Sequence, residues 1–310
     1  MKVARGKVHK YLVVTLDFAT AKLVKVTMID YVDEIIEVWN RACKEFDNGF
    51  EFVANRKKIA TAAPEDLFKV DEDALKLSPP EAKSFHSIIV MMLYVTKRAR
   101  PDTALAVAFL TTRVKAPDED DWRKPRHLVE YLKSTRDLPL VLGALNTGVL
   151  HWHVDASFAT HPDMRGHTGG VLTKGTGCPV VTSTKQKCNV RSSTMGELVA
   201  VDEKIGQILW AQLFMLEQGI KVSDNILYQD NKSAILLETN GRASSSKQMK
   251  HIKIRYYYIA DRIENGDLSI VWCPTDKMIA DFLTKPLQGK VFQKFRDVLM
   301  GAVPKWYDIS

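Results

Sequence analysis

Residues 149–185, VLHWHVDASFATHPDMRGHTGGVLTKGTGCPVVTSTK, decide the fold. Three runs inside this stretch, VLHWHVDAS, GGVLTK and PVVTSTK, alternate apolar and polar residues with the period of two that marks strands. Turns rich in Gly and Pro separate them, which predicts three antiparallel strands. Leu150, Trp152 and Val154 share one face of the first strand, so Asp155 points to the other with His151 and His153. Residues 194–218 switch to helical spacing, with Leu198, Val201, Ile205, Ile208, Leu209 and Leu216 on one side and Gly219 at the C-cap. Strand NILYQ, helices over 231–239 and 248–264, strand LSIVWC and a helix over 276–287 follow. The order β-β-β-α-β-α-α-β-α predicts an α/β domain with a mixed five-stranded sheet, since strands flanking a crossover helix pair in parallel.

Upstream, residues 8–29 read as two strands, VHKYLVVTLDF and KLVKVTM, joined at Ala19–Lys22. A helix begins at Asp30 with Tyr31, Ile35, Val38 and Trp39 on one face. Residues 47–83 are irregular, and helices are predicted over 84–110 and 121–134. The pattern changes at Gly143–Gly148, which places a boundary between a smaller α+β region, 1–145, and a second domain, 146–301, with a tail at 302–310.

Four carboxylates fall where this topology converges: Asp155, Glu197, Asp230 and Asp281. Asp155 and Asp230 end strands that become neighbours, at the carboxyl edge where open α/β sheets place their ligands. Each acid also has a structural reading. Thr194-x-x-Glu197 matches a capping box, Asp230 could cap the helix after it, and Asp155 could form a turn. Asp281 lies in an apolar stretch, Met278–Leu283, with no such role. Acids gathered within a few ångströms repel one another unless cations neutralise them. Two Mg²⁺ ions, ~3.5–4 Å apart, would do so while clamping a phosphodiester. Hard oxygen ligands suit Mg²⁺ or Mn²⁺ rather than Zn²⁺.

The words VDASFA, SSTMGELVA, DNKSAI, KHIKIRYYYIADRI and CPTDKMIADFLTKPL occur in this order over 151–301. Together they resemble the ribonuclease H domain of Ty1/copia-type retrotransposon Pol polyproteins. The resemblance implies an RNase H-like fold, a metal-binding tetrad of Asp155, Glu197, Asp230 and Asp281, and hydrolysis of the RNA strand of an RNA–DNA hybrid. HKYLVVTLDF, IDYVDEII, MLYVTKRARPDTALAVAFL and HLVEYLKST resemble the end of the same family's reverse transcriptase, its palm end and thumb or connection. The missing reverse-transcriptase core, or other Pol products, are then implied partners. Val13 departs from the family's YLG word, Met195 replaces a common Glu, and Val90–Met92 departs from a Gly-containing word. Tyr31-Val32-Asp33-Glu34 imitates a polymerase Y-x-D-D word, but its neighbours have helical spacing and only 32 residues precede Asp33, so no polymerase site is expected. The alternatives are an inactive nucleic-acid-binding remnant and a DDE-type integrase. The integrase is set aside because Glu197 is second in the acid order.

A net charge of +7 over 310 residues favours a polyanionic partner. Lys185, Lys187 and Arg191, with Ser192 and Ser193, are candidate phosphate contacts. Lys250 and His251 are candidates in the later helix, where a solvated face explains the charges equally well. Trp272 and Tyr256–Tyr258 fit core positions by periodicity. The four cysteines, Cys43, Cys178, Cys188 and Cys273, show neither zinc spacing nor a disulfide framework. With no signal-peptide pattern at the start and no 18-residue apolar run, a soluble intracellular protein is expected, and no membrane partner.

Overall fold

The computed structural model describes residues 5–46, 59–145, 148–240 and 250–303. Two compact units emerge, one built from residues up to Gly143 together with Pro286–Val303, the other from Ala144–Lys285.

The first unit opens with β1 (Val8–Tyr11), β2 (Val14–Asp17) and β3 (Leu23–Thr27), joined later by β4 (Leu140–Ala144). The β1–β2, β2–β3 and β3–β4 pairs are antiparallel. The run expected as one strand is therefore a tight hairpin. Leu12 and Val13 turn it with φ of 48° and 60°, the left-handed conformation that two-residue hairpins require. Helix α1 (Ile29–Phe46) buries Val32, Ile35 and Trp39, and the ring of Trp39 stacks on Trp122 of α4 (Glu119–Ser134) at 5.5 Å. Asp33 faces Arg136 as an ion pair on this helix, so Tyr31–Glu34 is helical as its spacing requires.

The helix expected over 84–110 is two. Helix α2 (Pro79–Arg98) begins earlier, at Ser78 with a Glu81 capping box, and α3 (Ala104–Thr111) follows a short 3-10 turn. Pro101 has no amide to continue the ladder and disfavours helical backbone at Arg100, which breaks the run. Helix α8 (Gly289–Leu299) belongs to this unit, with Phe292 edge-on to Tyr131.

In the second unit, β5 (Val149–Ser157), β6 (His167–Thr173), the two-residue β7 (Gly175–Thr176) and β8 (Val180–Lys185) precede α5 (Ser193–Glu217). Then come β9 (Asp224–Gln229), α6 (Lys232–Asn240), α7 (Lys250–Glu264) and β10 (Ser269–Trp272). The sheet order is β10-β9-β5-β6-β8. Strands β5, β9 and β10 run parallel, while β6 and β8 pair antiparallel, the mixed RNase H-like sheet that was expected.

On one face Leu150, Trp152 and Val154 of β5 pack with Leu198, Val201, Ile205 and Ile208 of α5 and with Leu227 and Ile259. Leu216 instead points outward on the last turn of α5. The helix expected over 276–287 does not form. Two 3-10 turns, Thr275–Lys277 and Ile279–Leu283, replace it, with extended backbone at Met278 between them. The segment is confined between Pro274 and Pro286 and lies against the sheet opposite α5. Gly169 pairs with Asp155 across β5 and β6, and a Cβ there would lie 2.8 Å from the Ala280 carbonyl oxygen. A side chain at 169 would push the 279–284 segment off the strand.

Candidate metal centre

Asp155 sits inside β5, paired with Gly169 of β6 just beyond the His153 end of the β9 ladder, and its alternation places it opposite the Trp152 face. Glu197 lies in the second turn of α5. The capping box read at Thr194–Glu197 does not form, because the N-cap is Ser192, which accepts the Met195 amide at 3.3 Å. Asp230 directly follows β9 and is also not a cap. Asn231 takes that role for α6, accepting the Ala234 amide at 3.0 Å. With both capping roles filled by neighbours, the two acids are available to the cluster.

One carboxylate oxygen from each of Asp155, Glu197 and Asp230 lies within 4.8 Å of the others. Asp155 is 1% exposed and Glu197 4%. Burial, then the nearby Asp281 charge, raises the Asp155 carboxyl to about 7. Glu197 is raised well above its ordinary range by burial and then by Asp155 and Asp230. One oxygen of Glu197 is buried with no hydrogen-bond partner. An orphaned, desolvated carboxylate among like charges is unfavourable as it stands, and a divalent cation would correct both defects. The donor set is all hard oxygen and fits Mg²⁺ or Mn²⁺.

Asp281 stands beside this triad rather than within it. Its Oδ1 accepts from the Lys285 ammonium at 2.7 Å, one turn along the chain. Burial raises the Asp281 carboxyl, and Lys285 opposes that only in part. For Lys285, burial disfavours the charge, but Asp155 and Asp281 outweigh it and the ammonium is held protonated. The Thr284 hydroxyl donates to Asp155, and the Thr275 hydroxyl donates to Asp230 Oδ2 at 2.9 Å. Pattern reading passed over Thr275, Thr284 and Lys285. The word TKPL carried two of them, but no periodicity marks a residue that acts by folding back onto a strand.

A buried polar chain fixes the 3-10 segment that carries Asp281. The Ser183 hydroxyl donates to the Leu283 carbonyl at 2.8 Å, so His167 Nε2 donates to Ser183, at 2.7 Å. His167 Nδ1 then accepts from His161 Nε2 at 2.9 Å. Burial pushes His161 down to about 4 and His167 to about 3, and both rings are neutral.

Of the expected phosphate contacts, Lys185 is committed to Asp163 at 2.7 Å, and the Ser192 hydroxyl to the α5 cap. Lys187, Arg191 and Ser193 are exposed around the start of α5. The side chains of Lys250 and His251 lie outside the described residues. Trp272 is 47% exposed and Tyr258 42%, so the core reading of both is corrected. Strand β10 is an edge strand, and Trp272 is its last residue.

No described helix is long and apolar enough to cross a membrane. No family model matches the chain. The retrovirus-related Pol polyprotein from transposon RE2 of Arabidopsis thaliana is 33% identical over 218 residues, 70% of this chain and 15% of that protein. The one from transposon TNT 1-94 of Nicotiana tabacum is 27% identical over 216 residues, 69% of this chain and 16% of that protein. Among solved structures, LC11-RNase H1 in complex with an RNA/DNA hybrid aligns with 43% of this chain and 92% of its own, at 17% identity and a TM-score of 0.33. The chain spans about 15% of the length of the curated relatives it matches. It is a homologue of the Pol polyproteins of copia-type transposons and belongs to that family.

Proposed function

We propose that the second unit is a divalent-metal-dependent ribonuclease H, cutting the RNA strand of RNA–DNA hybrids as one segment of a longer Pol polyprotein. The observation that carries this reading is the convergence of Asp155, Glu197 and Asp230, from three different elements, to within 4.8 Å. When bound, Mg²⁺ would lower the pKa of an attacking water and offset charge building on the scissile phosphate. Asp155, Glu197 and Asp230 would hold that ion, and Thr275 orients Asp230 from the next loop. Asp281 is the fourth acid of the proposed tetrad. In the geometry described, Lys285 pairs with it at 2.7 Å. Hybrid recognition through backbone shape and 2′-hydroxyls predicts little base preference.

Purified protein with Mg²⁺ should cut the RNA strand of an end-labelled hybrid and leave the DNA strand intact. Asp155→Asn should reduce cutting by at least a hundredfold while the circular dichroism spectrum is unchanged. Hybrid binding without cutting, in either Mg²⁺ or Mn²⁺, would support an inert nucleic-acid-binding remnant instead.

A further inference from the structure

Trp272 and Lys232 make a second feature beside the acids, and neither the strand nor the helix needs it. The Trp272 ring is nearly half exposed at the end of edge strand β10. Its indole Nε1 donates to the backbone carbonyl of Asp230 at 3.1 Å, which fixes the ring relative to the residue that supplies one of the three clustered carboxylates. The Lys232 ammonium lies 4.5 Å from the ring centroid, inside cation–π range. Lys232 is itself exposed on the first turn of α6. A flat aromatic face and an exposed cation thus stand beside Asp230.

We propose that Trp272 and Lys232 form a substrate-contact surface for one strand of a nucleic acid, with the ring packing on a base or sugar and the ammonium meeting a phosphate. The proposal deepens the nuclease reading and rests on it for the identity of the polyanion. An acidic cluster repels a phosphate backbone, and a cation at its border offsets that repulsion where the strand enters. A ring whose N–H is already satisfied by the protein keeps only its face and edge for a ligand. That favours stacking, which is tolerant of sequence, over base readout. Lys232 can hold the ring in the free protein and turn to phosphate when a strand arrives.

The test is fluorescence anisotropy of a labelled RNA–DNA hybrid on the full chain, in an Asp155→Asn background so that the substrate stays whole. Trp272→Ala should weaken binding about tenfold with little change in salt dependence, and Trp272→Phe should restore most of it. Lys232→Met, a surface change that leaves the fold in place, should lower the slope of log K against log salt by about 1. Binding of Trp272→Ala and Lys232→Met within twofold of the parent, with an unchanged slope, overturns the proposal. So does a parent that does not bind the hybrid. Failure of the wild-type chain to cleave would sink the nuclease reading and leave these binding differences standing, so the two results are separable.

Discussion

Leu12 and Val13 occupy left-handed backbone, and Val13 does so with a β-branched side chain that is more than half exposed. That conformation costs an L-residue about 1–2 kcal/mol, and no packing at Val13 offsets it. The YLG word of the family places Gly at this position, and the φ of 60° supplies the physical reason. Val13→Gly should therefore stabilise the first unit, by about 0.5–1 kcal/mol after the extra freedom Gly gives the unfolded chain. Thermal unfolding should show a rise of a few degrees, and a fall would mean that the turn is not the strained type. Gly169 is the opposite case at the same scale, since its missing side chain lets Ala280 and Leu283 rest on β6.

Helix α6 shows how an element can carry a buried acid outside the cluster. Glu238 is fully buried, and neither carboxylate oxygen reaches a hydrogen-bond partner. Burial pushes its carboxyl up to about 8. Because the folded value lies above the ordinary 4.5, Glu238 favours the fold while neutral and loses that contribution as pH rises through about 8. Glu238→Gln should thus raise the melting temperature of the second unit near pH 8 and leave it nearly unchanged near pH 5. An equal effect at both values would place the carboxyl in a more polar environment than the helix provides. The 3-10 turn Ile279–Leu283 makes a related point. Its shape follows from the sheet beneath it and from Ser183 at its end, not from helix propensity.

At the scale of the molecule, two units share one chain, and the acids belong to only one of them. A ligand that binds the native state alone stabilises by RT ln(1 + [L]/Kd), about 2.7 kcal/mol at a hundredfold excess over Kd. Mg²⁺ should therefore raise the unfolding temperature of the second unit and leave the first unit's transition where it is. Calorimetry with and without Mg²⁺ checks this, with Asp155→Asn expected to abolish the shift. A Mg²⁺-insensitive profile in the wild-type chain would leave the acids without a cation to hold.

Much of this was legible in the residues themselves. Alternation at Leu150, Trp152 and Val154 set both the strand and the face on which Asp155 emerges, because side-chain direction in a strand follows from local geometry. The crossover rule placed Asp155 and Asp230 on neighbouring strands, as β5 and β9 are. The sequence alone left each acid with a rival role, since a capping motif reads the same whether or not it is used. Tertiary structure decided that. Ser192 and Asn231 cap the helices, Glu197 is buried with an orphaned oxygen, and Lys285 folds back onto Asp281. The exposure of Trp272 and the 3-10 path of Ile279–Leu283 were likewise beyond periodicity, because both depend on what packs against them from elsewhere in the chain. Local pattern fixes which way a side chain points, and only the assembled fold fixes what it meets there.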